Sequence, residues 1–228
     1  MPILTRKATN TQIDRRTGFQ KIVVLGTPLT LGILEIWHPV GSPGQTAFEA
    51  ILPQANWWIT LHLLQLPLFG LMALAVILLT NNLKGLTATL SRIGIAFFIV
   101  FYTALDSITG IASGILIRSA DGLPSNVQAF VAQQVNLFFF DPIVGGSTYS
   151  LIGLLGAGGW LVGVSASAIA LRRIGVSRIP VILLILSGVF FGLSHTPPTG
   201  PLGMACFFIA GVMIKFPIRK EQKQMQSD

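Results

Sequence analysis

The chain has 228 residues, of which 52% are hydrophobic and 10% charged, with a formal net charge of +7 and a single cysteine. A soluble domain carries about 25% charged residues, so most of this chain meets lipid or other helices rather than water, and its length suits one compact bundle. Lone Cys206 excludes an internal disulfide and any CxxC metal or redox motif; it reads as a small buried apolar residue.

The positive charge does not mark a nucleic-acid binder. It sits in short clusters at the ends of apolar stretches, where it follows the membrane orientation rule and attracts anionic lipid headgroups.

Residues 1–20 are polar and basic. The apolar run that follows contains Glu35 and has no small-residue cleavage site after it, so it reads as a retained helix rather than a signal peptide. No lipidation motif, low-complexity tract or repeat of the two halves is evident. A helix crosses the hydrocarbon core with about 20 residues, range about 17–25. Six stretches approach that length: 21–37 with Pro28, 57–80 with Pro67 as an expected kink, 92–117, 147–171, 179–195 and 201–216. The last two also fit a helical hairpin that enters and returns, turning at Pro197-Pro198-Thr199-Gly200-Pro201. The expected fold is an all-α six-helix transmembrane bundle over 21–216, with a basic tail at 217–228.

Orientation follows from the charges. Arg6, Lys7, Arg15, Arg16, Lys21, Lys84, Arg92, Arg172, Arg173, Arg178, Lys215, Arg219, Lys220 and Lys223 fall on one side of the six stretches, and only Arg118 on the other. This bias predicts that both termini are cytoplasmic, in a multi-pass protein of the plasma membrane. Trp37, Trp57 and Trp58 are expected at the outer interface.

The outer connections predict short helices. Thr46-Ala47-Phe48-Glu49 fits a capping box opening one short helix before Pro53, and Ser125-Asn126-Val127-Gln128 fits a second. After it, Val127, Phe130, Val131, Val135 and Phe138 recur at helical spacing up to Asp141-Pro142, which predicts an amphipathic helix lying on the outer surface. Glycines four apart at Gly110/Gly114, Gly159/Gly163 and Gly188/Gly192 predict close helix packing within the chain.

The polar residues inside the stretches gather in one layer. At 1.5 Å per residue, His62 lies about 7 Å, Asp106 about 9 Å, and Glu35 and His195 about 5 Å below the outer boundary, with His38 at it. Helical phase puts Glu35 with His38, His62 with Gln65, and Tyr102 with Asp106, Thr109 or Gly110, and Ser113 on shared faces, while Gly188, Gly192 and His195 make a further stripe. Because a charged group facing lipid costs at least about 2.5 kcal/mol, these faces are expected to line one pocket open to the outer side. The lining residues are then Glu35, His38, His62, Gln65, Tyr102, Asp106 and His195.

Several functions fit such a layer. The first is binding or sensing of a small ligand, lipid-like ones included. The second is a metal-dependent membrane hydrolase: His38, His62, Asp106 and His195 supply the donors of a zinc site, and zinc makes water a nucleophile near neutral pH. No His-x-x-x-His pair is present, and Glu35-Ile36-Trp37-His38 lacks the second Glu-x-x-His motif of a di-iron bundle. The third is haem, held by His62 with His38 or His195, for redox work. Transport is disfavoured, since the polar groups stop in the outer half and no broken-helix repeat is present. The plainest alternative is that Asp106 only bonds Tyr102, Ser107 or a histidine and the layer has no shared role. The sequence alone does not decide whether the protein is an enzyme, nor its oligomeric state.

Overall fold

A computed structural model describes residues 17–146 and 150–216. Among these the structure is all-helical, without strands. The residues before 17, the tail from 217, and the expected start of the fourth stretch at Ser147 lie outside the described residues. Four helices are long and apolar enough to cross a membrane: α1 (Thr17–Ile36), α2 (Ala47–Thr80), α3 (Leu86–Ser119) and α5 (Leu151–Arg173). Between α3 and α5 lies α4 (Ser125–Phe140), and two shorter apolar helices end the bundle, α6 (Arg178–Leu193) and α7 (Thr199–Met213).

Glycine contacts fix how these helices pack. On α3 and α5, Gly94 faces Gly159 and Gly163, while Gly156 faces Tyr102. Gly188 and Gly192 of α6 face Leu161 and Ala157 of α5. Gly203 of α7 faces Phe191 of α6, and Gly32 and Gly211 pair α1 with α7. Gly110 and Gly114 of α3 face His62, Trp58 and Ile59 of α2. Residue numbers rise on one helix as they fall on its neighbour. The apolar helices therefore form a closed ring in chain order, each antiparallel to the next, with α7 returning beside α1. Phe69, Phe98, Trp160, Phe191 and Phe207 are fully buried within it.

Several boundaries differ from the sequence expectation. The short outer helix forms before Pro53 as expected, at Ala47–Ile51, but it runs on without a loop into the helix expected at 57–80, whose α-helical part starts at Ala55. Leu52–Gln54 forms a 3₁₀ turn that carries Pro53 in its first turn, where no N–H is needed, and the chain continues as one helix. Trp58 is thereby buried inside the bundle instead of marking the interface, whereas Trp37 is 67% exposed. The α6 helix ends at Leu193, so His195 sits in the turn before α7 and not in a span.

The first capping box forms as expected. Glu49 N–H donates to Thr46 Oγ1 at 3.3 Å, and Thr46 N–H donates to Glu49 Oε2 at 2.8 Å. These bonds hold the Glu49 carboxyl below the usual carboxylate range. Thr46→Ala should cost about 1 kcal/mol, measurable as a lower unfolding midpoint in a detergent titration. The second box is absent. Pro124 occupies the cap position, Ser125 is already helical, and Gln128 instead donates to the Leu123 carbonyl at 3.0 Å.

Helix α4 extends to Phe140 as expected, but its stripe is split. Val131 and Val135 are buried against Phe48, Ile51, Ile117 and Trp58, while Phe130 and Phe138 are exposed. α4 thus closes an apolar cap over one end of the ring, with Trp58 as its floor.

Helix α3 is irregular where it matters. Phe98–Tyr102 and Asp106–Ala112 are π-helical. The hydroxyls of Ser107, Thr109 and Ser113 donate back to the carbonyls of Thr103, Leu105 and Thr109. Such bonds compete with the regular helical ladder. The wider turns bring Tyr102, Asp106, Thr109, Gly110 and Ser113 all onto the buried side.

Candidate functional site

Directly beneath the apolar cap, three helices, the end of α1 and the turn between α6 and α7 meet in a polar cluster. Glu35 comes from α1 and His38 from just past its end; His62 and Gln65 come from α2; Tyr102 and Asp106 come from the two π segments of α3; His195 comes from the turn between α6 and α7. Six of the seven are buried and His195 is half-buried. Helical phase places each: Glu35 and His38, and likewise His62 and Gln65, are three residues apart and share a face.

The imidazoles touch. Ring centroids are 4.9 Å apart for His38 and His195 and 5.3 Å for His38 and His62, each pair edge to face. One ring nitrogen from each of the three lies within 4.8 Å of the others. His62 Nε2 is 3.7 Å from Asp106 Oδ1, and Gln65 Nε2 donates to Glu35 Oε1 at 2.8 Å.

Hydrogen bonds set the ring orientations. His38 Nδ1 donates to the Pro39 carbonyl at 2.9 Å, and His62 Nδ1 donates to the Trp58 carbonyl at 2.7 Å. A carbonyl only accepts, so both Nδ1 atoms carry the proton, and in the neutral ring Nε2 keeps its lone pair. His195 Nδ1 pairs with the Tyr102 hydroxyl at 2.8 Å. Each ring is therefore held by one nitrogen from behind and presents the other to the cluster. Metal-ligating histidines are held in this way.

The cluster is rich in unpaired atoms. Glu35 Oε2, His38 Nε2, Gln65 Oε1, Asp106 Oδ2 and His195 Nε2 are buried and have no hydrogen-bond partner in the protein. Among the described residues no Lys or Arg pairs with either carboxyl group. An isolated buried carboxylate costs several kcal/mol, so Glu35 and Asp106 either hold protons or share a cation. Buried polar atoms normally have partners, and these five face one another in a single layer.

Two contributors escaped the sequence reading. Trp58 packs on both His62 and His38, with ring centroids at 4.3 and 5.2 Å, and its indole N–H donates to the Gly110 carbonyl at 2.7 Å. Gly110, read as a packing glycine and a small member of the Tyr102–Ser113 face, lies under the His62 ring so closely that no Cβ fits between them. Both were legible only as an aromatic near a boundary and a spaced glycine. Beside His195, a cavity of 250 Å³ lies between Tyr102, Leu105, Gly153, Gly192, Ser194 and Thr196.

The chemistry open to this arrangement is metal binding. Donors on one tetrahedral ion at roughly 2.0–2.1 Å lie roughly 3.3 Å apart, so the three imidazoles reach one ion after side-chain shifts of roughly 1 Å. Rings at these separations leave room for an ion between them.

Comparisons with protein-family models, with curated proteins and with solved structures found no match for this chain.

Proposed function

We propose that this chain is a six-span protein of the plasma membrane, both termini cytoplasmic, whose outer polar layer holds a divalent transition metal, zinc by its donor set, and uses it for hydrolysis. The topology rests on the bias of Lys and Arg and on the alternating ring, which closes only with an even number of helices. In a Cys206→Ala background, an impermeant maleimide should label a cysteine at exposed Ser119 in intact cells and leave one at exposed Ser177 unlabelled until the cells are opened.

The observation that carries the functional reading is the set of three imidazoles anchored at Nδ1 and turned inward at Nε2. His38, His62 and His195 would hold the ion and leave its fourth position to water, with Asp106 beside His62. A bound zinc brings the ionisation of its water near pH 7. Glu35, with Oε2 unpaired, and Asp106 would accept the proton that water gives up. The water oxygen adds to the acyl carbon, the bond to the leaving oxygen breaks, and the leaving group takes a proton.

Detergent-purified protein should carry one zinc per chain. It should cleave p-nitrophenyl acetate, stop after exhaustive chelation, and resume with zinc or cobalt. Bound zinc without cleavage would leave a metal-binding or sensing protein; an intense absorbance near the blue end would make it a haem protein instead. Tyr102→Phe keeps the ring but removes the partner of His195 Nδ1, and should weaken zinc affinity about 10–100-fold.

A further inference from the structure

The pair His38 and His195 belongs to two neighbouring helix ends, and a second feature runs between the same two helices. His38 follows the end of α1 and His195 precedes the start of α7. Below them, α1 and α7 enclose a groove of 380 Å³ on the outside of the ring. Pro28, Gly32 and Ile36 line it from α1, and Pro201, Ala205 and Phe208 from α7. No charged or hydrogen-bonding side chain lines it.

Gly32 faces Met204 and Gly211 faces Val24 and Leu25, so Ile36 is level with the start of α7 and the groove runs down from there. Gly200, just before Pro201, packs against the His195 main chain. The upper end of the groove is therefore level with the His195 main chain, and Ile36, its uppermost α1 residue, lies two positions before His38. From Ile36 to Pro28 it covers about 12 Å along α1, which is the outer half of a hydrocarbon core about 30 Å thick.

We infer that this groove seats the alkyl chain of an outer-leaflet amphiphile whose acyl ester lies at the imidazole cluster. The inference rests on the metal-hydrolase reading for its chemistry and on the groove for its substrate class. The groove exists because Gly32 and Ala205 have little or no side chain where Leu29, Ile33 and Ile209 form exposed rims. An alkyl chain entering from the leaflet fills it without burying any polar group, and its first polar atoms then meet His38 and His195. Water adds to the ester carbon, the alkoxy oxygen leaves with a proton, and a fatty acid and an alcohol result.

The test uses the full chain in nanodiscs and a series of p-nitrophenyl esters from acetate to palmitate. Ala205 is exposed in the groove, so Ala205→Trp fills it without entering the core. The variant should lose at least about tenfold in kcat/KM for palmitate, with acetate cleavage and zinc content unchanged. An unchanged chain-length profile in a zinc-loaded variant overturns the groove and leaves the metal centre standing.

A second readout does not depend on turnover. A palmitoyl ester with a mid-chain diazirine should cross-link to peptides 28–36 or 201–209 in the unsubstituted protein and lose that cross-link in Ala205→Trp. Cross-linking elsewhere, or the groove occupied by a second copy of the chain, overturns the proposal whether or not metal is bound.

Discussion

Replacing His62 with alanine should lower zinc affinity more than 100-fold and abolish zinc-dependent ester cleavage. The effect should exceed that of Tyr102→Phe, because a ligand is lost rather than the partner that orients one. His62 is the most instructive of the three. Its Nδ1 is committed to Trp58, its ring rests on Gly110, and its Nε2 lies 3.7 Å from Asp106. His38→Ala and His195→Ala should have the same sign. Isothermal titration with zinc checks all three, beside a circular-dichroism spectrum showing that the helices remain. Acid should mimic the substitutions reversibly, since ligand imidazoles must be unprotonated. Retention of full zinc affinity by His62→Ala would remove it from the ligand set.

The largest stability loss should come from Gly94. A Cβ there would meet Gly163 N at 2.5 Å, Gly159 O at 2.7 Å and Gly163 Cα at 2.8 Å. All three obstacles are backbone, so only separation of α3 from α5 relieves them. Gly94→Ala should therefore cost about 1–3 kcal/mol by overpacking, and Gly94→Leu should prevent assembly of the ring. Gly188→Ala is the control, because its nearest neighbours are Leu161 Cδ1 and Ser165 Oγ, both at 3.4 Å. That substitution should stay within about 0.5 kcal/mol. Unfolding midpoints in a denaturing detergent separate the two; equal losses would mean the glycine contacts do not govern packing.

The layer of polar residues was legible because membrane depth is a one-dimensional count. Rise per residue placed Glu35, His62, Asp106 and His195 at similar height, and the cost of exposing charge to lipid turned them inward. Their meeting in one cluster follows from those two facts. Ring orientation did not, because it depends on the carbonyls of Trp58 and Pro39 and on the Tyr102 hydroxyl, which sequence spacing does not reveal. Trp58 was misplaced because an indole near a span end has two stable sites, the interface and a cap over a polar pocket. Packing beneath Val131 and Val135 of α4 decides between them. The π segment Asp106–Ala112 of α3 coincides with back-bonding by Ser107, Thr109 and Ser113, which a 3.6-residue count cannot register. Gly94 carries the tightest contact between two helix backbones yet has no glycine four residues away on its own helix; its complement is Gly159/Gly163 on α5, a pairing visible only between helices.

X-ray absorption at the zinc edge of the unsubstituted, zinc-loaded protein tests the convergence of the imidazoles most directly. Imidazole nitrogens from His38, His62 and His195 at roughly 2.0–2.1 Å in a four-coordinate shell, with outer-ring scattering from three rings, are the expected result. A shell of water oxygens without imidazole scattering, or protein that takes up no zinc, would contradict it.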